Sequence, residues 1–238
     1  MDWKNKDMFY QLLNKACYAF RRNNWMLDFS RLFGDFSEVS IDRPIFLLGT
    51  QGGGLTLISR MLRRNRNVVS VTGNHQYWSG ADEMQNVLGP ILPPSLTGIK
   101  HKAPHDDVFD IPRGWLYATD RLISAYRNTE SDVSAETKRD LQRLLKWIIS
   151  RYSEQGVGVR FTDKGQLYTV KIAYLAGLLQ GCHPKFLLIT RNPYAVCYRS
   201  VTKAWSLKRL ERRFSFQQRL EFAAQHWANS MASVLEDR

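Results

Sequence analysis

Residues 44–64 read PIFLLGTQGGGLTLISRMLRR. Pro44 introduces four apolar residues, Ile45 to Leu48, and such a run is typical of a short strand buried on both faces of a parallel sheet. The eight residues from Gly49 to Thr56 then fit G-x-x-x-x-G-x-T, and a helical pattern follows. Glycines let backbone N–H groups converge on an anion, and a helix N-terminus adds partial positive charge. The stretch therefore predicts a turn that holds a phosphate-bearing ligand.

The residue types within this turn narrow the kind of ligand. A P-loop NTPase has a lysine where this chain has Leu55, and that lysine contacts the β- and γ-phosphates. Its absence disfavours ordinary ATP hydrolysis or kinase chemistry. Six residues are predicted to contact the ligand: Gln51, Gly52, Gly53, Gly54, Leu55 and Thr56.

The same strand-and-helix alternation continues along the chain. Further strands are predicted at 68–71 and 186–189, and a long excursion loop at 89–114. Helices are predicted at 7–22, 55–64, 134–153, 168–180, 194–206 and 215–235, the first of them packed on the main domain. This order predicts a three-layer α/β sandwich with a central parallel sheet, in which ligands sit at the carboxyl ends of the strands.

Composition limits the partners and the compartment. Thirty-four basic and 22 acidic residues give a net charge of +12, which calls for an anionic partner or a basic face. Nucleotide phosphates, sulfated or carboxylated glycans, nucleic acid and an anionic membrane all qualify. No nucleic-acid motif is present, and no segment approaches the ~20 apolar residues of a membrane span. Three cysteines without metal-ligand spacing favour a reducing compartment, and we expect the cytoplasm.

A second constellation follows the strand at 186–189. It reads TRNPYAVCYRS over residues 190–200. Arg191 stands at the end of the strand, where a guanidinium can clamp a phosphate bidentately. Pro193 suits the first turn of the next helix, and Ser200 lies further along that helix.

Taken together, these motifs resemble the sulfotransferases that use 3′-phosphoadenosine 5′-phosphosulfate (PAPS). Their first loop commonly reads Pro-(Arg/Lys)-Ser-Gly-Thr-Thr and holds the 5′-phosphosulfate. Their second reads Arg-(Asp/Asn)-Pro and holds the 3′-phosphate, aided by a downstream serine. The resemblance covers roughly residues 44–235 and implies that residues 52–56 hold the phosphosulfate and that Arg191, aided by Ser200, binds the 3′-phosphate. Asp163-Lys164 resembles an acidic-Lys pair of the family, which places Lys164 in the active site.

Three features depart from the family pattern. Gly52 stands where the family has a basic residue, so the cation near the transferring group must come from elsewhere, with Lys164 and Arg60 as candidates. The family's serine falls at the position of Arg199, one residue before Ser200. Members also continue into a C-terminal lid. Residues 1–238 are therefore expected to form a single domain that is either a fragment ending before this lid or a protein that has lost or replaced it.

Sulfuryl transfer needs a base to take the proton of the acceptor hydroxyl. In the resembled family this base is a His or Glu just past the strand that follows the phosphate-loop helix. His75 has this position, and an imidazole ordinarily titrates near neutral pH. Asp82 and Glu83 are the carboxylate alternatives. The acceptor is expected to be a carbohydrate or small-molecule hydroxyl, and no metal is required.

Two other functions remain open from the sequence. A degenerate P-loop nucleotide enzyme or kinase would bind ATP with Mg²⁺. A basic, non-catalytic module would bind nucleic acid or another anionic polymer, with a steep dependence on salt and without preference for an adenosine nucleotide.

Overall fold

A four-stranded parallel sheet forms the centre of the protein in the computed structural model, which describes residues 3–74, 82–99, 116–153, 158–203 and 210–237. The strands within these ranges are β1 Ile45–Leu48, β2 Val68–Val69, β3 Val71–Asn74, β4 Arg160–Lys164 and β5 Lys185–Leu188. The sheet order is β2-β4-β1-β5, and each pair is parallel. The predicted α/β fold with a central parallel sheet is confirmed.

Helices lie on both faces of this sheet. They are α1 Trp3–Asn23, α2 Ser30–Phe33, α3 Leu55–Leu62, α4 Met84–Val87, α5 Ile123–Tyr126, α6 Ala135–Tyr152, α7 Ile172–Leu178, α8 Pro193–Thr202 and α9 Phe216–Glu236. Short 3-10 turns occupy Asn24–Leu27, Pro94–Ile99, Glu130–Asp132, Gln166–Val170 and Leu210–Arg212. The start of α6 is capped as predicted, because the Ser134 hydroxyl accepts a hydrogen bond from the Thr137 N–H.

The two faces of the sheet are covered unequally. Phe46 and Leu48 of β1 point into the larger core, which α6 and α7 complete. Ile45 and Leu47, on the opposite face, pack with Leu55 of α3 in a much smaller cluster. A third cluster joins α8 and α9 to residues 116–126. The apolar run that opens the fold is therefore buried on both faces, as the sequence predicts.

Strand β4 was missing from the sequence-based prediction, although it pairs with both β1 and β2. Its last two residues, Asp163 and Lys164, are charged yet only 3% exposed. Charged residues interrupt the apolar pattern by which buried parallel strands are recognised. The strand is nevertheless formed because polar partners compensate both charges.

Strand β5 and helix α1 are less buried than predicted. β5 is an edge strand whose residues alternate between exposed and half-buried, with Leu187 42% exposed. The prediction of a fully buried strand was therefore wrong here. Helix α1 forms, but Phe9, Leu12 and Phe20 on its apolar stripe are 56–62% exposed, so the prediction that this stripe packs on the domain was also wrong. Among the described helices, none combines the length and apolarity needed to cross a membrane.

Candidate functional site

The glycine loop, residues 49–54, leads from the end of β1 into α3. Three of its glycines have positive φ: +148° at Gly49, +86° at Gly52 and +107° at Gly54, which is the N-cap of α3. Side chains are strained in this region of backbone space, whereas glycine is not. The run of glycines is therefore required by the shape of the loop.

Two hydrogen bonds hold glycines of this loop in place. The Gly49 N–H donates to Thr169 Oγ1 at 3.2 Å, and the Gly53 N–H donates to the Thr50 carbonyl at 3.1 Å. Other N–H groups find no acceptor within the described ranges, namely those of Gly52, Gly54, Leu55 and Thr56. Free N–H groups at the start of a helix are the groups that bind anions.

The second predicted loop lies directly against the first. It follows β5 and begins with Ile189, whose carbonyl oxygen would be 2.5 Å from a Cβ on Gly49 and 3.4 Å from one on Gly53. Because β1 and β5 are adjacent and parallel, their carboxyl ends meet at the same edge of the sheet. Arg191 in this loop is exposed, and no described residue makes an ion pair or hydrogen bond with it. The two predicted motifs are therefore neighbours in space.

Helix α8 starts as the sequence predicts, but Ser200 is occupied within it. Asn192 caps the helix by accepting from the Ala195 N–H at 3.1 Å, and Pro193 is its first residue. The Ser200 hydroxyl donates to the Val196 carbonyl at 2.8 Å, one turn back along the helix. The role of Ser200 in phosphate binding stays a prediction.

The residue before it, Arg199, lies beside the glycine loop. A Cβ placed on Gly52 would be 3.6 Å from Arg199 Cδ and 3.9 Å from its Nε. The side chain is exposed, and the described part of the chain offers it no ion pair or hydrogen bond. From the sequence, Arg199 was noted only because it occupies the position of the family's serine.

A buried charge cluster lies close to the same edge of the sheet. We define it as Arg63, Asp82, Glu83 and Lys164. Arg63 Nη2 is 2.7 Å from Asp82 Oδ2, and both side chains are 2% exposed. Lys164 Nζ is 2.9 Å from Asp82 Oδ1 and 2.6 Å from Glu83 Oε1. Arg63 Nη1 also donates to Ser70 Oγ and Thr72 Oγ1, at 3.4 and 3.3 Å.

Lys164 is held in this cluster as a cation. Burial alone would lower the pKa of its ammonium, but the carboxylates of Glu83 and Asp82 outweigh burial and raise it. Lys164 is also in register with Leu47 of β1, two residues before the glycine loop. The predicted catalytic lysine thus lies near the loop, although its ammonium is directed at two carboxylates.

Asp163, on the other face of β4, has an unusual environment. Tyr168 Oη donates to its Oδ2 at 2.6 Å, and the Met84 N–H donates to its Oδ1 at 3.1 Å. Burial nevertheless raises the pKa of this carboxyl to about 7, with a smaller contribution from nearby Glu83. Asp163 is therefore a buried acid that can hold a proton near neutral pH.

The candidate bases are only partly placed. His75 lies outside the described residues. Asp82 is engaged by Arg63 and Lys164. Glu83 accepts from Lys164 through Oε1 and from Asn86 Nδ2 through Oε2, at 2.6 Å each. Both described carboxylates already have partners, and the role of His75 stays a prediction.

Comparison of the chain with protein-family models, with curated proteins and with solved structures finds no match. In the described portion, no group of three or more His, Cys, Asp or Glu side chains is arranged to hold a metal ion.

Sequence reasoning missed two residues that shape the site. Thr169 fixes the first loop glycine through its hydroxyl, and Arg63 neutralises Asp82. Thr169 lies in a 3-10 turn, 120 residues from Gly49 in the sequence, and no local sequence pattern predicts a hydrogen bond over this separation. Little in the sequence indicated the role of Arg63, because this residue follows the apolar part of α3 and looks like one of two exposed arginines.

Proposed function

We propose that this protein is a PAPS-dependent sulfotransferase, which moves a sulfuryl group from PAPS to an acceptor hydroxyl. One observation supports the proposal: a glycine loop with open N–H groups touches a second loop that bears Arg191, an exposed arginine with no ion pair or hydrogen bond among the described residues. Two anion-binding features side by side suit a nucleotide that carries negative charge at two positions.

The chemistry of PAPS matches this pair of features. Its 5′-phosphosulfate would accept hydrogen bonds from the open N–H groups of Gly52, Gly54, Leu55 and Thr56, with the Gln51 and Thr56 side chains beside it. Its 3′-phosphate would be bound by Arg191, since a guanidinium presents paired donors to a phosphate. Leu55 replaces the lysine that a nucleoside triphosphate needs, and this also favours a nucleotide without a γ-phosphate.

Transfer requires the acceptor oxygen to attack sulfur. A new O–S bond forms, the bond between sulfur and the 5′-phosphate oxygen breaks, and its electron pair leaves with 3′-phosphoadenosine 5′-phosphate. His75 takes the acceptor proton, because Asp82 and Glu83 are already engaged by cations. Lys164 is the second proposed catalytic residue, since it ends the strand next to β1 and carries a positive charge.

The expected partners follow from charge and composition. A protein of net charge +12 attracts anionic acceptors, so we propose a hydroxyl-bearing carbohydrate, including an anionic glycan, or a small molecule. The cysteines Cys17, Cys182 and Cys197 are all free, which suits a reducing compartment such as the cytoplasm.

Calorimetry at low salt tests the proposal. We expect 3′-phosphoadenosine 5′-phosphate to bind, and ATP with Mg²⁺ to bind more weakly or not at all. Failure of 3′-phosphoadenosine 5′-phosphate to bind would refute the sulfotransferase. Tighter binding of ATP with Mg²⁺ would instead support a degenerate P-loop enzyme.

A further inference from the structure

Arg199 is an exposed cation that lies beside the glycine loop. Its Cδ and Nε lie 3.6 and 3.9 Å from the point where a side chain on Gly52 would begin. The loop itself contains no basic residue between Gly49 and Thr56. Whatever cation serves this loop must therefore reach it from another element.

The backbone explains why the cation does not come from position 52. Gly52 has φ +86°, where an L side chain is strained. A lysine or arginine at this position would have to change the conformation that leaves the neighbouring N–H groups open. Arg199 instead extends from α8 into the space that such a side chain would occupy.

The surroundings leave Arg199 available for a ligand. It is exposed and makes no ion pair with any residue of the described ranges. The alternatives Lys164 and Arg60 are less available: the Lys164 ammonium is 2.6 Å from a carboxylate oxygen, and Arg60 is half-buried in the last turn of α3.

We propose that Arg199 binds the anion held by the glycine loop, which is the 5′-phosphosulfate if the proposed function is right. Its guanidinium then stabilises the charge that collects on the 5′-phosphate as the bond to sulfur breaks. Arg191 precedes α8 and Arg199 lies within it, and the two divide the nucleotide between them: Arg191 takes the 3′-phosphate and Arg199 the 5′ end.

The inference rests on the proposed function, but a probe without adenosine tests it separately. Inorganic pyrophosphate presents two linked tetrahedral anions, as the phosphosulfate does. We expect the wild type to bind pyrophosphate and adenosine 5′-phosphate, and Arg199→Ala to bind both about tenfold more weakly, because a charge-assisted contact is lost. Arg199→Lys should lie between the two.

Matched variants separate this effect from net charge and from the 3′-phosphate. Arg66→Ala removes an exposed arginine in the turn before β2, at the opposite edge of the sheet, and should bind pyrophosphate as the wild type does. Arg191→Ala should also leave adenosine 5′-phosphate binding unchanged. Equal thermal unfolding temperatures of Arg199→Ala and wild type would show that the fold is intact.

The outcomes are distinguishable. Pyrophosphate binding that survives in Arg199→Ala, or that is absent from the wild type, overturns the assignment of Arg199. Arg199-dependent pyrophosphate binding without any preference for 3′-phosphoadenosine 5′-phosphate over adenosine 5′-phosphate supports Arg199 and contradicts the sulfotransferase.

Discussion

Arg63 and Asp82 form an ion pair that is almost completely removed from water. Burying two charges is costly, and their attraction offsets this cost only when hydrogen bonds satisfy the remaining donors. Here Ser70 and Thr72 accept from Arg63, while Lys164 neutralises the second oxygen of Asp82. The cluster therefore holds α3, β3 and β4 in one arrangement beside the glycine loop.

Removing one partner of this ion pair should lower the stability of the fold. Arg63→Met leaves Asp82 buried with a single cation, and we expect the free energy of unfolding in urea to fall by about 3 kcal/mol. The control is Arg43→Ala, which breaks a pair whose side chains are 57% and 44% exposed and should cost less than about 1 kcal/mol. Similar losses in the two variants would contradict a structural role for the buried pair.

The Asp163 carboxyl should make stability depend on pH. Its folded pKa of about 7 lies above the unfolded value of 3.8, so the folded state binds more protons between these values. The stabilising contribution is then fully present below pH 3.8 and is lost as the pH rises through 7. Asp163→Asn stays neutral at every pH and can still accept from the Met84 N–H.

We therefore expect Asp163→Asn to gain stability relative to wild type as the pH rises from 5 to 8, by about 3 kcal/mol. Urea unfolding at both pH values measures this gain. Asp35→Asn is the control, because the Ser37 N–H lowers the pKa of that exposed carboxyl, and its contribution to stability therefore does not change between pH 5 and pH 8. If the difference in unfolding free energy between Asp163→Asn and wild type is the same at both pH values, the Asp163 carboxyl does not titrate in this range.

At the scale of the elements, glycine substitutions inside and outside the glycine loop separate effects on ligand binding from effects on stability. Gly54 and Gly158 have φ of +107° and +77°, and a Cβ on either would meet no atom within 4 Å. Alanine at each position should therefore cost a similar amount of stability, about 1 kcal/mol of backbone strain. Only Gly54→Ala should disturb the N–H groups at the start of α3.

We expect Gly54→Ala to weaken the binding of 3′-phosphoadenosine 5′-phosphate about tenfold, and Gly158→Ala to leave it unchanged. Calorimetry gives both dissociation constants. Parallel losses of affinity in the two variants would mean that strain, and not the geometry of the loop, governs binding.

The elements also show what local sequence can predict. β1, α3 and the capped start of α6 follow from apolar spacing and cap chemistry, which act over a few residues. β4 could not be found in this way, because Asp163 and Lys164 are buried only through partners at Tyr168, Asp82 and Glu83. A useful local signal was present in Val159-Arg160-Phe161-Thr162, a β-prone run that is bounded by Gly158 and Gly165.

At the scale of the whole molecule, parallel strand order explains why the site was partly predictable. Motifs at the ends of two parallel strands meet if those strands are adjacent, and β1 and β5 are adjacent. Arg191 could therefore be paired with the glycine loop from the sequence. The approach of Arg199 to Gly52 could not be predicted from the sequence, because it depends on how α8 lies against the loop.

The exposure of α1 and β5 also depends on the arrangement of the whole molecule. A helical or apolar pattern predicts that an element forms, but it does not identify the surface that covers it. Leu57 and Met61 of α3 are 53% and 58% exposed on the same side of the sheet as Leu187. The smaller apolar layer is thus open beside β5.

We propose that two adjacent loops hold the two charged ends of one nucleotide. The most direct test of this proposal is the ratio of the dissociation constants of 3′-phosphoadenosine 5′-phosphate and adenosine 5′-phosphate, in wild type and in Arg191→Ala. We predict that the 3′-phosphate improves affinity about tenfold or more in wild type and has little effect in Arg191→Ala. Equal affinities of the two nucleotides in wild type, or a preference for 3′-phosphoadenosine 5′-phosphate that survives in Arg191→Ala, would contradict this proposal.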